Sequence, residues 1–302
     1  MNTSPPKVAV LMAAYNGMAW IEDQLESILK QVNVGVSVYI SVDTSTDNTE
    51  SWCSAYAERR SNVTMLPNAG PFGGAARNFF RLIRDVDFSS FDYVAFADQD
   101  DIWYPHKLER ATSVLDLERY DAYSSNVVAF WPDGRRRLID KSQPQTQLDY
   151  LFEAAGPGCT YVLTRKLALE FKMSLEEHWN SAQNVSLHDW YCYAFARSHD
   201  FRWFIDPAPG MDYRQHSGNQ VGANVGIASL TTRLKNIADG WWLEQVLLID
   251  YLTGRNPALI RKSEHASHLL ILRLIFKAAQ CRRRRRDKFL FIVACLASVI
   301  RN

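Results

Sequence analysis

Residues 93–105 read YVAFADQDDIWYP, an apolar run of buried-strand length that ends on Asp98, Asp100 and Asp101 before Ile102 and Trp103. Carboxylates this close repel one another and each is costly to desolvate, so the turn needs a compensating cation or open solvent. A turn after a strand can aim carboxylates at i and i+2 toward one point. Hard divalent cations such as Mg2+ or Mn2+ prefer such oxygen ligands and leave positions open for substrate phosphates. A solvated acidic turn accounts for the same residues, because aspartate is common in turns.

Upstream of that stretch the chain alternates in type. Residues 8–12 (VAVLM) form another apolar run, and Ile21, Leu25, Ile28 and Leu29 recur behind it at helical spacing. Residues 36–42 (VSVYISV) predict a strand that stops at Asp43, and Thr46-Asp47-Asn48 carries cap chemistry for a helix over about 48–59. A short strand over 63–66 and a helix over 75–85 lead back to the strand over 93–97. Such alternation predicts an α/β fold with a parallel sheet covered by helices on both faces. Ligands in these sheets sit beyond the carboxyl ends of the strands. Asn16, Asp43, Asn68 and Asp98 each follow a predicted strand and are expected to converge on one rim.

Downstream the pattern is less regular. Residues 123–131 and 137–139, joined through Pro132-Asp133-Gly134, read as a hairpin. Gly156-Pro157-Gly158 precedes a strand over 159–163, Ser186 is placed to cap a helix through about Arg197, and 201–205 reads as a return to the sheet. Residues 217–229, rich in Gly, Asn and Ser, read as a mobile loop.

At 302 residues and 47% apolar, the chain suits one large α/β domain, alone or with an appendage. Its net charge of +1 conceals an asymmetry: residues 255–302 hold twelve Lys or Arg and two acids, a net +10, which leaves −9 for residues 1–254. An acidic body with a basic tail suggests a tail that meets an anionic surface. Arg273, Lys277, Gln280 and Arg284 fall on one helical stripe, and Arg282 to Arg286 precede twelve uncharged residues, 289–300. That run reaches only about 18 Å as a helix, short of a bilayer's hydrocarbon core, so an interfacial amphipathic anchor fits better than a span. A helix that packs on the core or on a second copy is the alternative. Nucleic acid is disfavoured, because no aromatics interleave with the basic run. The five cysteines are scattered with no Cys-x-x-Cys pair, so reduced thiols are expected rather than a zinc site or disulfide framework. Residues 1–17 lack a charged segment followed by a long apolar one, which argues against a secretory signal peptide.

Two further clusters carry chemistry. In Leu187-His188-Asp189-Trp190-Tyr191 an acid opens a helix among aromatics, as suits a general base beside a sugar-stacking wall, or simply a first-turn acid that complements the helix dipole. In Tyr213-Arg214-Gln215-His216-Ser217-Gly218-Asn219, Arg214 could stabilise a diphosphate and His216 could complete a metal shell. Trp103, Trp179, Trp190, Trp241 and Trp242 are candidate sugar platforms or core residues.

The ordered set Ala13-Ala14-Tyr15-Asn16-Gly17, Asp43 with Ser45-Thr46-Asp47-Asn48-Thr49, Gly73 with Ala76-Arg77-Asn78, and Asp98-Gln99-Asp100-Asp101-Ile102-Trp103 resembles the nucleotide-sugar half of inverting, GT-A-fold family 2 glycosyltransferases. The likeness covers about residues 7–220 and is strongest to bacterial rhamnosyltransferases of lipopolysaccharide and cell-surface polysaccharide assembly. It implies that Ala14 and Tyr15 border the nucleobase and that Asp43 holds base or ribose. It implies that Arg77 and the Gly73-Gly74 backbone lie near ribose and phosphates, that Asp98 contacts ribose or metal, and that Asp100 ligates a divalent cation, Mg2+ or Mn2+. It supports His216 as part of a His-x-x-Asn element and makes Asp189 the base that deprotonates the acceptor hydroxyl. Thr44 departs from the pattern, since the family commonly has a second acid there.

The expectation is therefore a GT-A catalytic domain over 1–220, with a nucleotide-sugar half to about 101 and an acceptor half from 102, followed over 221–302 by a loop and a basic helical extension. The expected donor is a nucleoside-diphosphate sugar, by best guess dTDP-L-rhamnose, and the acceptor a lipid-linked or lipopolysaccharide glycan. The expected place is cytoplasmic, peripheral on the inner face of the bacterial cytoplasmic membrane. A sugar-phosphate nucleotidyltransferase shares the fold pattern, but would carry a Gly-rich loop with Arg and Lys where this chain has Ala13 to Gly17. A non-catalytic glycan or nucleotide scaffold would tolerate loss of Asp189.

Overall fold

The computed structural model describes residues 4–216, 241–254 and 268–301. The expected alternation is present as β1 (Lys7–Ala14), α1 (Ile21–Leu29), β2 (Gly35–Val42), α2 (Thr49–Glu58), β3 (Val63–Met65), α3 (Ala75–Asp85) and β4 (Tyr93–Asp98). Then follow β5 (Ile102–Trp103), α4 (Lys107–Leu117), β6 (Ala122–Ser125), β7 (Val127–Phe130), β8 (Arg136–Ile139), β9 (Val162–Thr164), α5 (Arg165–Glu177), α6 (Trp179–Ala182), α7 (His188–Ser198), β10 (Trp203–Asp206) and β11 (Met211–Arg214). The loop expected over 217–229 lies outside the described residues.

Seven strands form one sheet in the order β10-β6-β9-β4-β1-β2-β3. Successive residues of β1 bury into opposite layers: Val8, Val10 and Met12 pack with Ile21 and Val38, while Ala9 and Leu11 pack with Phe79 and Phe96. A strand covered on both faces has no polar side to alternate with, which is why β1 and β4 read as unbroken apolar runs. The pairing sets Ala14 opposite Val42 and Ala13 opposite Asp98, so β1, β2 and β4 end together on one rim.

The sheet is mostly parallel, as a Rossmann-like GT-A domain is expected to be, with β9 alone running antiparallel to both its neighbours, β4 and β6. Hydrophobicity reports that a strand is buried, whereas its direction depends on the side from which the connection returns. The hairpin expected over 123–139 is revised. Its first arm splits at Asn126 into β6, in the large sheet, and β7, in a second sheet ordered β5-β11-β7-β8. Asn126 makes the switch possible by donating to the Pro207 carbonyl at 2.9 Å and accepting from the Lys141 N–H at 2.6 Å. The strand expected over 159–163 becomes a 3-10 turn, Gly158–Thr160, followed by β9.

The carboxyl-terminal segments belong to the same core. Trp242, Val246 and Ile249 of the helix Trp241–Thr253, and Ile271, Leu274, Cys281, Phe291 and Cys295 beyond it, are buried in the layer that holds Phe79 and Trp190. The single basic stripe expected over 273–284 is not formed. The chain breaks at Lys277 and again at Arg282, giving helices His268–Phe276, Ala278–Cys281 and Arg285–Arg301. Within the run of five arginines, Arg283 is buried against Asp149 at 3.6 Å and Glu153 at 3.5 Å. Among the described residues no helix is long and apolar enough to cross a membrane. All five cysteines are buried and free.

A buried ion pair that loses one partner leaves an uncompensated charge, which typically costs about 3–5 kcal/mol. Arg283→Ala is expected to lower unfolding stability by that order in urea titration, whereas Arg286→Ala, whose side chain is exposed, should leave the midpoint nearly unchanged.

Candidate active site

Each wall of the rim is assembled from a strand end and the loop that follows it. After β1, Tyr15 projects its ring into solvent with 54% exposure. Asn16 takes a left-handed backbone (φ 47°), with its side-chain oxygen accepting from the Thr46 N–H at 2.7 Å. After β2, the Asp43 carboxylate accepts from the N–H groups of Thr44 (2.8 Å), Phe72 (2.8 Å) and Gly73 (3.0 Å). Asp43 thereby clasps the loop before α3, in which Gly73 sits at φ +72°, a region that favours glycine. Arg77, one turn into α3, donates to the Gln183 carbonyl at 2.8 Å and to the Phe72 carbonyl at 3.3 Å. Asn68 bonds Glu50 at 3.0 Å and accepts the Gly70 N–H at 3.1 Å.

At the centre the three acids of the β4 turn have different surroundings. Asp100 meets His216, Oδ2 to Nε2 2.7 Å, and the imidazole stacks on Trp20 with centroids 4.0 Å apart. Asp98, pressed by burial and by the neighbouring Asp100 charge, has its carboxyl pushed up to about 7. Asp101 is wholly buried and held well above the usual carboxylate range by the same two causes. Its Oδ1 accepts the Arg214 N–H at 3.1 Å, while its Oδ2 has no hydrogen-bond partner. Ligand atoms of Asp98, Asp101 and Cys159 all lie within 4.8 Å of one another. The Arg214 guanidinium donates to the Asp100 carbonyl at 2.8 Å and lies over the Phe130 ring.

The opposite wall is α7. It starts at His188, with Asp189 in its first turn; Asp189 Oδ1 accepts the Trp190 N–H at 2.7 Å. Burial pushes the Asp189 carboxyl up to about 6, and its charge adds to the repulsion that raises Asp98. His188 stacks on Phe79 at 3.9 Å and is held neutral by burial, its pKa lowered to about 3. The cap expected from Ser186 is absent; Ser186 instead accepts from Trp241 at 3.2 Å and donates its N–H to Gln245 at 2.8 Å. Trp103, Trp190 and Trp242 are core side chains rather than exposed sugar platforms, because their indoles fill the apolar layers.

The structure thus brings Asp98, Asp100, Asp189, Arg214 and His216 to the centre, with Ala14, Tyr15, Asp43, Gly73, Gly74 and Arg77 along the β1–β2 side. Several contributors were given no role by the sequence reading. Asn78 donates to the carbonyls of Ala14 (3.3 Å) and Ser41 (3.0 Å), tying the ends of β1 and β2 together. Arg81 bonds Ser41 Oγ at 2.9 Å and the Pro67 carbonyl at 2.6 Å. Both are polar residues on the apolar face of α3, a signal the sequence does offer. Lys107, buried below the turn with Nζ 3.5 Å from the Trp103 ring centroid, has its pKa lowered to about 7 by burial. Nothing in its spacing points to that role.

Comparison with known proteins gives a consistent picture. The family described as "Glycosyltransferase like family 2" matches residues 5–169. The chain is 42% identical to the dTDP-rhamnosyl transferase RfbG of Shigella flexneri over 289 residues, 95% of this chain and 100% of that one. It is 28% identical over 168 residues, 54% of this chain and 62% of the relative, to WfgD of Escherichia coli, a UDP-Glc:alpha-D-GlcNAc-diphosphoundecaprenol beta-1,3-glucosyltransferase. Among solved structures it superposes on S. aureus TarS 1-349 in complex with UDP-GlcNAc (TM-score 0.53, 15% identity, 97% of this chain, 88% of that one). It also superposes on the mannosyltransferase PcManGT of Pyrobaculum calidifontis in complex with GDP-Man and Mn2+ (TM-score 0.53, 15% identity, 99% of this chain, 88% of that one). At that identity the superpositions speak to the fold alone.

A carboxyl whose folded pKa is raised contributes stability below its unfolded pKa and loses it as pH rises through the folded value. For Asp189 the window runs from about 3.8 to about 6. Asp189→Asn should therefore gain about 1–3 kcal/mol on the wild type between pH 4 and pH 8, read from paired urea titrations of metal-free protein.

Proposed function

The chain belongs to the family 2-like glycosyltransferases, and from that premise we propose that it transfers L-rhamnose from dTDP-L-rhamnose, with inversion and with a divalent cation, to a lipid-linked or lipopolysaccharide glycan. The rhamnosyl donor is supported by the 42% identity to RfbG along nearly the whole chain. The reaction type is supported by one observation above all: Asp189 lies against Gly158, where an added Cβ would stand 3.1 Å from its own, and the adjoining Cys159 has its thiol within 4.8 Å of an Asp98 carboxylate oxygen. Inverting displacement requires a base near the diphosphate site.

The residues present fit a hard cation. Asp100 and His216 offer an oxygen and a nitrogen 2.7 Å apart, and Asp98 adds a carboxylate whose charge is already opposed by that of Asp100. A bound Mg2+ or Mn2+ would supply Lewis-acid neutralisation of the departing diphosphate. Asp189 takes the proton of the acceptor hydroxyl as its oxygen bonds to the anomeric carbon. The bond from that carbon to the diphosphate oxygen breaks, and the electron pair leaves with dTDP. Arg214, held by the Asp100 carbonyl, presents positive charge on the side where the phosphate charge grows. The Asp43-clasped loop and the exposed Tyr15 form the nucleoside wall.

Asp189→Asn should keep dTDP-L-rhamnose binding while transfer falls by about 10²–10⁴. Wild-type transfer should rise with pH through about 6, because the base must be ionised. Unaltered transfer in Asp189→Asn would remove the base assignment, and full activity of the wild type in EDTA would remove the metal. Running a panel of nucleotide sugars in the same assay checks the donor.

An acceptor held in a membrane gives a reason for the enzyme to lie on the inner face of the cytoplasmic membrane. Phe276 (88% exposed) ends the helix His268–Phe276, and Phe289 (66% exposed) follows Arg285, Arg286 and Lys288 in the helix Arg285–Arg301, which suits apolar insertion under anionic head groups. Because the tail also fills the core, truncation would unfold the protein, and point substitutions are the cleaner probe. Phe276→Ser with Phe289→Ser should abolish sedimentation with phosphatidylglycerol vesicles without moving the unfolding midpoint. Continued sedimentation would count against this surface.

A further inference from the structure

We propose that Gln99 is a positioning residue that locks the loop after β1 to the acidic turn after β4, so that the nucleoside and metal halves of the donor site are set as one unit. The inference rests on the donor-site reading above. Backbone pairing between β1 and β4 stops at Ala13 opposite Asp98. Gln99, the uncharged residue between two acids, carries the pairing one rung further with its side chain. The Tyr15 N–H donates to Gln99 Oε1 at 2.7 Å, and Gln99 Nε2 donates to the Tyr15 carbonyl at 2.6 Å.

Both partners are shaped for this contact. A Cβ on Gly17 would stand 2.4 Å from Gln99 Oε1, so the amide can lie where it does only because residue 17 lacks a side chain. On the far side, Asn16 is fixed by the Thr46 N–H at 2.7 Å and by donating its own N–H to Ser45 Oγ at 3.0 Å. Tyr15 is thus gripped through its backbone while its ring stays exposed. The residue type follows from the same geometry. One donor and one acceptor are needed, at glutamine's reach. Glutamate would set a carboxylate against the Tyr15 carbonyl and add a fourth negative charge to the turn, and asparagine is one methylene short. The two hydrogen bonds give the two halves a shared equilibrium, so ordering either one favours the other, and that coupling is reciprocal.

The test uses dTDP and Mn2+ as separate probes of the full chain. Titration calorimetry gives the dTDP constant with and without Mn2+, and electron paramagnetic resonance gives the Mn2+ constant with and without dTDP. Wild-type protein should show mutual enhancement. Gln99→Ala should weaken dTDP binding about tenfold and shrink the enhancement by the same factor in both directions. Gln99→Glu should do at least as much. Gly17→Ser, which displaces the amide from the other side while leaving Gln99 in place, should reproduce the loss. Unchanged constants and coupling in Gln99→Ala and Gly17→Ser would overturn the latch alone. Wild-type protein that binds neither dTDP nor Mn2+ would overturn the donor-site reading and the latch with it.

Discussion

Three carboxylates held within four residues at the buried end of β4 are the constraint around which the rest of the molecule is arranged. Burial and mutual repulsion raise Asp98 and Asp101, so the turn is unfavourable as it stands and draws in every donor within reach. β11 pairs with β5 directly after the turn, and this pairing delivers the Arg214 N–H to Asp101, the guanidinium to the Asp100 carbonyl, and His216 to Asp100. The small second sheet can be understood as the support that keeps β11 there. Lys107 and Cys159 close the underside, where the acids would otherwise meet only apolar atoms.

The same reasoning separates acids that look alike in sequence. Asp43 spends its carboxylate on three backbone N–H groups, an arrangement that makes it a loop clasp. Asp189 is raised to about 6 by burial in spite of the Trp190 N–H it accepts, which leaves it poised to take a proton near neutrality. Asp206, the buried last residue of β10, pairs with Arg110, accepts from the Tyr123 hydroxyl and belongs to the scaffold. Partners, more than burial alone, divide chemistry from support.

The basic tail shows the limits of a charge count. Arg283 is drawn under the chain to Asp149 and Glu153, and its backbone N–H also bonds Glu153 at 2.7 Å. Arg282 and Arg284 on either side are half-buried, and Arg285 and Arg286 stay at the surface. A run of five identical residues therefore holds both a core ion pair and a solvent-facing patch. Phe152, Trp242 and Phe291 pack as a three-ring cluster over the same region, which joins the tail to the segment leading to Gly158.

The alternation of strands and helices and the strand ends at which Asp43 and Asp98 stand were legible in sequence, whereas Asp189 and His216 were singled out there through the family resemblance. The former rest on local pattern, since a strand buried on both faces is continuously apolar and its first polar residue marks the rim. Other features were settled only by the tertiary structure. The reversed β9 and the sheet switch at Asn126 depend on how connections return, and the broken tail helices depend on where Arg283 finds its acids. Asn78, Arg81, Lys107 and Gln99 carry weight through atoms distant in sequence, as when Gln99 reaches Tyr15 across 84 positions. Hydrophobic period and strand-end polarity are written locally along the chain. Hydrogen-bond partners and repulsion between charges exist only once the folded chain has brought distant residues together.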